Sequence, residues 1–350
     1  MHKIITISLL GVALLQAQCK NYVNYQIATG STTGTYYQIG KNLSKYVAPS
    51  ACIKLEVLST KGSLDNVYKL RSVKFPKLKF AIVQNDVLQE LKKFANKGNK
   101  KAKDLLDNIR VLLPLYNEEI HILSRASSNI KTFGDLKDKK LSIGKNKSGT
   151  AMTSFLLYKE LFNQDLKKFK NEGFNDALYS LEHNNTDAIV LVSGQPVPRL
   201  EKMPKSAGKF LRLLSYDEKN TNHNPITSYY TTEIKKSSYK WIDNNTPTLS
   251  TKSYLITFNY KNLTERKYIT NFVKSIKANL PMLREKATDN PNTPHLKWKQ
   301  VDDICNLTKL PGGWEYYNIV NNVCGATKVQ MSEKKLSTCS EYEKSVGLCE

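Results

Sequence analysis

The sequence predicts an α/β protein of two lobes, each with a mixed sheet, joined by two strands that cross between them. Three observations support this prediction. Apolar, β-branched segments alternate with segments of helical spacing, which is the pattern of a parallel sheet flanked by helices. A strand, a turn of Gly, Ser and Thr, and a helix start occur in that order twice, near residues 30 and 148. The chain has 350 residues, 40% of them hydrophobic, and this length favours two domains over one.

The first lobe opens with three strand–helix pairs. Each strand is a short apolar run, and each helix has apolar residues three or four positions apart. The strands are YQIATG, IKLEVLST and KLKFAIVQ, and the helices that follow them are TYYQIGKNLSKYV, GSLDNVYKLRS and NDVLQELKKFANK.

The middle of the chain predicts the change from one lobe to the other. NIRVLLPLYNEEIHILSRA gives two strand-like runs with a short polar break, and a new alternation then runs from KTFGDLKDKKLSIG to DAIVLVSG. We expect one lobe to hold residues 19–121 plus about 251–350, including a cysteine-rich tail, and the other to hold residues 122–250. Two lobes that each present a polar turn would enclose a ligand between them.

The N-terminus has the plan of a secretory signal peptide over residues 1–17. One lysine precedes an apolar run that is too short to span a bilayer, and small and polar residues follow. We predict cleavage after Ala17 and a periplasmic mature protein, with a buried N-terminal helix as the alternative. Cys19 suggests a lipoprotein, but Gln18 disfavours it because a lipobox needs a small residue there.

Six cysteines in an exported protein predict disulfides rather than a metal site. No CxxC motif occurs, and the five histidines are scattered. Cys19 and Cys52 each precede a predicted parallel strand at the same end, where they could lie within bonding reach. The other four crowd the last 46 residues and predict a tail closed by two bridges: Cys305, Cys324, Cys339 and Cys349. The pairing itself stays open.

The net charge of +22 raises the question of a nucleic-acid partner. The lysines are spread along the whole chain, and no nucleic-acid recognition motif occurs. We interpret the charge as a solvated surface that steers anionic ligands, and we predict no nucleic-acid partner.

The turn TGSTTGT, residues 29–35, is the first candidate for ligand contact. Small hydroxylated residues bury little apolar surface, but they expose N–H and hydroxyl groups at a helix start, where an anionic group is stabilised. A plain β–α connection with an N-cap is the alternative. The turn is neither a P-loop nor a GxGxxG motif. The candidate contacts are Thr29, Gly30, Ser31, Thr32, Thr33, Gly34, Tyr36 and Tyr37. Of the two tyrosines, one belongs to the core and the other to the cleft, and spacing does not tell which.

The second turn lies in GKNKSGTAMTS. Ser148, Gly149 and Thr150 open a helix whose free N–H groups could receive a carboxylate, and Lys145 and Lys147 add positive charge nearby. A capped helix start with two solvated lysines is the alternative.

Two strand ends add further candidates. Gln84 lies at the carboxyl end of a strand, where open α/β sheets bind ligands, and Asp86 is expected to cap the following helix. Ser193, Gly194 and Gln195 follow another strand and precede two prolines, so this turn contacts ligand or is purely structural.

Catalysis finds little support in the sequence. No GxSxG motif, HExxH motif or metal-spaced acidic cluster occurs. We therefore predict a protein that is not an enzyme and has no cofactor and no metal. An exported enzyme using the same cleft and a surface adhesin are the alternatives from other classes.

Taken in order, several segments resemble the TAXI subfamily of solute-binding proteins of tripartite ATP-independent periplasmic (TRAP) transporters. The resemblance runs from about residue 24 to residue 202, after which only LPGGWEYYN is similar. The segments are TGSTTGTYYQIG, LSTKGSLDNVYKL, FAIVQNDV, IKTFGDLKDKKLSIGKNKSGT and DALYSLEHNNTDAIVLVSGQPVPRL.

The resemblance implies a type II-like periplasmic binding protein with a ligand cleft lined by these polar turns. It implies a monomer that captures a small organic anion, such as glutamate or a dicarboxylate, and delivers it to a membrane permease driven by an ion gradient. Departures from the family are the hydroxyl-rich Ser31, Thr32 and Thr33, where relatives have more glycine, and Ala151, where relatives often have Glu. The main alternative keeps the fold and changes the partner, to an ATP-driven importer or a sensor kinase.

Overall fold

The structure is a computed structural model that describes residues 19–325, except 289 and 291. The predicted signal peptide lies outside the described residues, and so do Cys339 and Cys349. Within the described residues no helix is both long enough and apolar enough to cross a bilayer.

Strands and helices alternate along the chain as the sequence predicts. In the described residues the strands are β1 (Val23–Ala28), β2 (Ile53–Leu58), β3 (Leu78–Gln84), β4 (Ile109–Arg125), β5 (Leu141–Ser142), β6 (Phe169–Lys170), β7 (Ala188–Ser193), β8 (Leu211–Leu213), β9 (Tyr230–Ile234) and β10 (Thr246–Phe258). The α-helices are α1 (Thr35–Asn42), α2 (Ser63–Arg71), α3 (Asn85–Asn96), α4 (Lys100–Leu106), α5 (Gly149–Phe162), α6 (Phe174–Glu182), α7 (Pro198–Glu201), α8 (Leu263–Glu285) and α9 (Asn318–Cys324).

The strands form one mixed sheet in the order β2-β1-β3-β10-β4-β7-β5-β6, with β8 paired to β4 and β9 paired to β10. Strands β1, β2 and β3 are parallel to one another, and β5 is parallel to both β6 and β7. Between these groups, β10 and β4 are antiparallel to each other and to their outer neighbours β3 and β7. This arrangement confirms the predicted α/β class with mixed sheets joined by two strands.

Strands β4 and β10 belong to both halves of the molecule. The start of β4 pairs with β10, and its end pairs with β7 and β8. We call β1–β3, α1–α4, α8 and α9 the first half, and β5–β9 with α5–α7 the second half. The predicted domain boundaries themselves stay a prediction.

The polar break predicted within NIRVLLPLYNEEIHILSRA is wrong, because β4 is continuous through it. Glu118 and Glu119 are buried and stay in the strand, where they pair with Thr251 and Ser250 of β10. Each carboxyl has a hydrogen-bond donor from outside the strand: Tyr36 for Glu118, and Lys297 and the Gln195 amide for Glu119. Two adjacent charged residues usually indicate a turn, but here distant residues supply the hydrogen bonds that two buried carboxyl groups need.

Each half has its own hydrophobic packing. In the first half, Phe80 of β3 stacks on Phe272 of α8, with ring centroids 4.4 Å apart. In the second half, Phe133 packs edge-on against Tyr216 at 5.7 Å within a separate cluster. The C-terminal helices therefore complete the first half.

Two disulfides lie in the described residues. Cys19 bonds to Cys52 and so joins the starts of the parallel strands β1 and β2, which confirms the predicted proximity. Cys305 bonds to Cys324 at the end of α9. The second bridge predicted for the tail falls on cysteines outside the described residues.

Candidate functional site

A cavity of about 550 Å³ lies between the two halves. Its lining comes from the carboxyl ends of β1, β3 and β7 and from the loops that lead into the following helices. Ligands bind at this edge in open α/β sheets because the strands stop there while the helix N-termini begin. Its volume falls in the range of roughly 300–1,000 Å³ that is usual for small-molecule sites.

Five helices of at least eight residues begin at this cavity. Their N-cap residues all belong to its lining: Gly34 of α1, Gly62 of α2, Gln84 of α3, Ser148 of α5 and Gly173 of α6. The short helix α7 begins there too, at Val197. The three glycine caps provide no side-chain acceptor for the first-turn N–H groups. Each helix start carries a partial positive charge, so the cavity offers an anion several sets of N–H donors.

The first turn contributes residues 30–34 to the lining, as predicted from the sequence. Ser31 and Thr32 are exposed, and the Ser31 Oγ and Thr33 Oγ1 atoms lie 3.2 Å apart. Arg199, from the second half, donates from Nε to Thr33 Oγ1 at 2.7 Å. Thr29 is buried instead, and its hydroxyl donates to the Leu58 carbonyl at 2.7 Å. The structure thus places Thr29 in the scaffold beneath the turn.

The two adjacent tyrosines have different positions. Tyr36 is buried and lines the cavity, and its hydroxyl donates to Glu118 Oε2 at 2.7 Å. Tyr37 is half-buried and is not part of the lining. The structure thus identifies Tyr36 as the cleft residue of the pair.

The second turn also lines the cavity, but its hydroxyl groups hold the fold. Ser148 Oγ accepts from the Ala151 amide at 3.0 Å and caps α5, and Thr150 Oγ1 accepts from the Val192 amide at 3.1 Å. The Gly149 and Thr150 amides have no hydrogen-bond partner among residues 19–325. These two N–H groups are therefore what the second turn offers to a solute.

Gly149 is required by a close approach between the halves. A Cβ atom on this residue would lie 1.7 Å from Gln84 Oε1 and 2.8 Å from Ser63 Oγ. Gln84 lines the cavity as predicted, and Ser63 holds it at both ends: the Gln84 amide donates to Ser63 Oγ at 3.1 Å, and Ser63 Oγ donates to Gln84 Oε1 at 3.2 Å.

The predicted capping role of Asp86 is wrong. Gln84 is the N-cap of α3, and Asp86 lies inside the first turn. Its buried carboxylate accepts from Thr153 Oγ1 at 2.6 Å and from the Tyr229 hydroxyl at 3.2 Å, both in the second half. Burial raises the pKa of Asp86, while these hydrogen bonds oppose the rise. Asp86 therefore links the halves outside the cavity.

Of the three residues predicted at the end of β7, namely Ser193, Gly194 and Gln195, one lines the cavity. Ser193 does so, and its Oγ lies 3.2 Å from Thr35 Oγ1, which donates to the Gly194 carbonyl at 2.8 Å. Gly194 packs on Lys297, since a Cβ atom there would lie 2.8 Å from the Lys297 Cε. The Gln195 side chain is used within the second half, where Nε2 donates to the Glu233 carbonyl at 2.8 Å.

A buried ion pair supports this turn from below. Lys297 Nζ lies 2.6 Å from Glu119 Oε1, and both side chains are only 2% exposed. Glu119 Oε2 accepts from the Gln195 amide at 2.8 Å. Burial lowers the pKa of Lys297, while the neighbouring Glu119 opposes that shift. Breaking such a pair leaves an uncompensated buried charge.

Of the charged members of the lining, the sequence analysis named only Lys145, beside the second turn. It missed Lys61, Glu118, Glu172, Asp176 and Arg199. Arg199 lies in LVSGQPVPRL, shortly after the candidate residues Ser193, Gly194 and Gln195, so that turn could have indicated Arg199 as a site residue. Glu118 gave no such signal, because a carboxylate in the middle of a strand points to either face. No group of three potential metal-ligating side chains occurs in the described part of the chain.

Comparison with known proteins gives a family and a set of structural likenesses. The sequence profile of the NMT1-like family matches residues 27–318. Holo ArgBP from T. maritima is similar over 76% of this chain and 92% of its own, with 15% identity and a TM-score of 0.43. An arginine third transport system periplasmic binding protein from Legionella pneumophila is similar over 75% of this chain and 97% of its own, with 14% identity and a TM-score of 0.42. XAC2383 from Xanthomonas citri bound to ATP is similar over 87% of this chain and 96% of its own, with 11% identity and a TM-score of 0.44.

Proposed function

The chain belongs to the NMT1-like family, which is of the periplasmic solute-binding type, and we propose that it is the solute-binding subunit of a TRAP transporter of the TAXI type. It captures a small organic anion, such as glutamate or a dicarboxylate, between its two halves and delivers it to an ion-gradient-driven permease. It performs no covalent chemistry on the solute.

The observation that carries this proposal is the convergence of the N-termini of α1, α2, α3, α5 and α6 on one cavity. Each N-terminus favours an anionic group through its partial charge and its free N–H groups. Three basic side chains, Lys61, Lys145 and Arg199, line the same space. The acidic lining residues Glu118, Glu172 and Asp176 equal these cations in number, so the helix N-termini carry the preference for a carboxylate over a neutral solute of the same shape.

Contacts between the halves support capture by closure. Arg199 and Thr33 face each other across the cavity, and the Asp65 amide donates to the Lys147 carbonyl at 3.1 Å. A solute that contacts both walls would stabilise this closed arrangement, because it binds the closed state better than the open one.

Thermal unfolding in the presence of candidate solutes tests the proposal. L-glutamate and succinate are compared with L-glutamine, which keeps the shape of glutamate and lacks the side-chain charge. A ligand of the native state at a hundred times its Kd stabilises it by about 2.7 kcal/mol. We expect a carboxylate to raise the Tm by several degrees, and chemically unchanged solute afterwards would agree with a binding protein.

A matched pair of variants locates the effect. Arg199→Met removes a cavity cation, whereas Arg212→Met removes an arginine whose Nη2 donates to the Ala126 carbonyl at 2.6 Å, outside the cavity. The solute-induced rise in Tm should shrink for the first variant and persist for the second. Equal rises in both variants would contradict the assignment of the cavity. Solute uptake by vesicles that contain a TRAP permease, dependent on this protein, tests the partner.

A further inference from the structure

Glu118 is a buried carboxyl at the base of the cavity. Its side chain belongs to β4, where that strand passes from one half to the other, and the residue is 3% exposed. It lines the cavity beside Tyr36, Ser63 and Gln84. A carboxyl in this place will contact whatever occupies the base of the cavity.

No cation pairs with Glu118 in the described residues, where no Lys, Arg or His nitrogen lies within 4.0 Å of its carboxyl. Lys297 is the basic residue with an electrostatic effect on it, and Lys297 is already paired with Glu119. The titratable groups that affect Glu118 are Tyr36 of α1, Asp86 of α3 and Lys297, together with Tyr116 and Glu119 of its own strand. The other charged groups of the lining are Lys61, Lys145, Glu172, Asp176 and Arg199.

These surroundings favour the neutral form of the carboxyl. Burial raises the pKa of Glu118 well above its usual value; Asp86 and Glu119 add to the rise, while the Tyr36 hydroxyl and Lys297 oppose it. The single Tyr36 proton is directed at Glu118 Oε2, so Tyr36 cannot donate it to a solute at the same time. A proton on Glu118 Oε1 would leave Oε2 to accept from Tyr36 and would make Glu118 a hydrogen-bond donor within the lining.

We propose that Glu118 is protonated at neutral pH in the free protein and donates a hydrogen bond to the captured anion, which makes it a specificity-determining residue of the site. This inference rests on the proposed capture of an anion. An ionised Glu118 would repel the anion. Affinity should therefore be highest below the pKa of Glu118 and should fall as the pH rises through it, approaching about tenfold per pH unit above that pKa. A solute bound through an ammonium group would show the opposite trend.

The first test needs no solute. Difference infrared spectra at pH 7 compare the wild-type protein with Glu118→Gln and, as a matched control, with Glu172→Gln. Glu172 also lines the cavity but has Lys170 Nζ at 3.4 Å and a hydrogen bond from Ser180 at 2.9 Å. We expect Glu118→Gln to remove the C=O band of a protonated carboxyl and Glu172→Gln to remove a carboxylate band. Loss of a carboxylate band in Glu118→Gln would overturn the proposal.

The second test is calorimetric titration with L-glutamate from pH 6 to pH 9. The wild-type affinity should fall with rising pH, whereas Glu118→Gln, whose amide stays a donor, should have a nearly constant affinity. An equal pH trend in both proteins would overturn the role of Glu118. If Glu118→Gln does not fold, ¹³C NMR of labelled glutamate residues in the wild-type protein reports the protonated carboxyl directly. Failure of L-glutamate to bind while the infrared band is present would contradict the proposed solute and leave the protonation of Glu118 established.

Discussion

The two turns that wall the cavity look alike in sequence but differ in what they offer a solute. In the first wall, residues 30–34, the Ser31 and Thr32 side chains are exposed and available. In the second wall, residues 148–150, Ser148 caps α5 and Thr150 accepts from Val192, so the hydroxyl oxygens hold the scaffold. If the cavity holds the proposed solute, we therefore expect the first wall to contact it through side chains and the second through the backbone N–H groups at the start of α5.

The difference follows from what lies behind each wall. The first wall is a loop of the first half whose base is tied through backbone carbonyls: the Thr29 amide and hydroxyl both donate to the Leu58 carbonyl, and the Thr60 amide donates to the Gly30 carbonyl. The second wall packs closely against Gln84 and β7. The adjacent turn at Gly194 and Gln195 contacts the Lys297–Glu119 pair. Loss of a hydroxyl should therefore cost stability at the second wall and mainly affinity at the first, whereas added volume at the closely packed second wall should disturb closure around a solute.

The largest effect is expected for Lys297→Met. It leaves Glu119 buried without its cation, so the free energy of unfolding should fall by about 3–5 kcal/mol in urea titration. Lys79→Met is the matched control, because Lys79 pairs with Glu265, whose side chain is 26% exposed and stays hydrated. Equal losses for the two variants would mean that the pair beneath the second wall has no special role.

Acid should weaken the same support. Burial lowers the pKa of His121 to about 4, and its ring lies between the Glu119 carbonyl at Nδ1 and the Tyr239 hydroxyl at Nε2. Below pH 6.5 His121 binds a proton in the unfolded chain, whereas in the native protein its ring stays neutral until about pH 4. Stability is thus full above pH 6.5 and is lost as the pH falls towards 4, by at most about 1.4 kcal/mol per pH unit. Urea titrations at pH 7 and pH 5 check this, and His121→Gln should reduce the dependence.

Gly149→Ala should damage closure. Its Cβ would meet Gln84 Oε1, whereas the Cβ of Gly30→Ala in the first wall would lie at an ordinary 3.7 Å from Tyr36. Overpacking costs about 1–3 kcal/mol, and because the clash is between the halves we expect it in solute affinity, as roughly a tenfold to hundredfold loss. Calorimetry with L-glutamate measures both variants. Similar affinities would show that the second wall is not tightly packed in the bound state.

The smallest effect separates two threonines. Thr150→Val leaves the Val192 amide without its acceptor, so the free energy of unfolding should fall by about 1–2 kcal/mol. Thr33→Val leaves the Arg199 Nε without its acceptor at the partly exposed first wall, so it should change the free energy of unfolding by under about 0.5 kcal/mol. It should weaken solute binding. A stability loss at Thr33 as large as at Thr150 would remove the distinction between the walls.

The sequence predicted the site better than the roles within it. Strand–turn–helix patterns located both turns that wall the cavity, because a run of small polar residues at a helix start exposes N–H and hydroxyl groups. They could not show that Thr29 faces inward or that Thr150 is used by Val192, since both facts depend on strands that are distant in the chain. Glu118 was hidden for the same reason: its partner Tyr36 is 82 positions away. The sequence shows that Arg199 follows the turn after β7, but it does not show that Arg199 forms a hydrogen bond with Thr33.

The most direct measurement of the central claim follows the backbone amides of the second wall by NMR as L-glutamate is added. If α5 receives the anion through its first N–H groups, the amide protons of Gly149 and Thr150 should move downfield as charge-assisted hydrogen bonds form. The Val192 amide, which already donates to Thr150, should change little. Saturable binding with unchanged Gly149 and Thr150 resonances would contradict the account, because the second wall would then be scaffold alone.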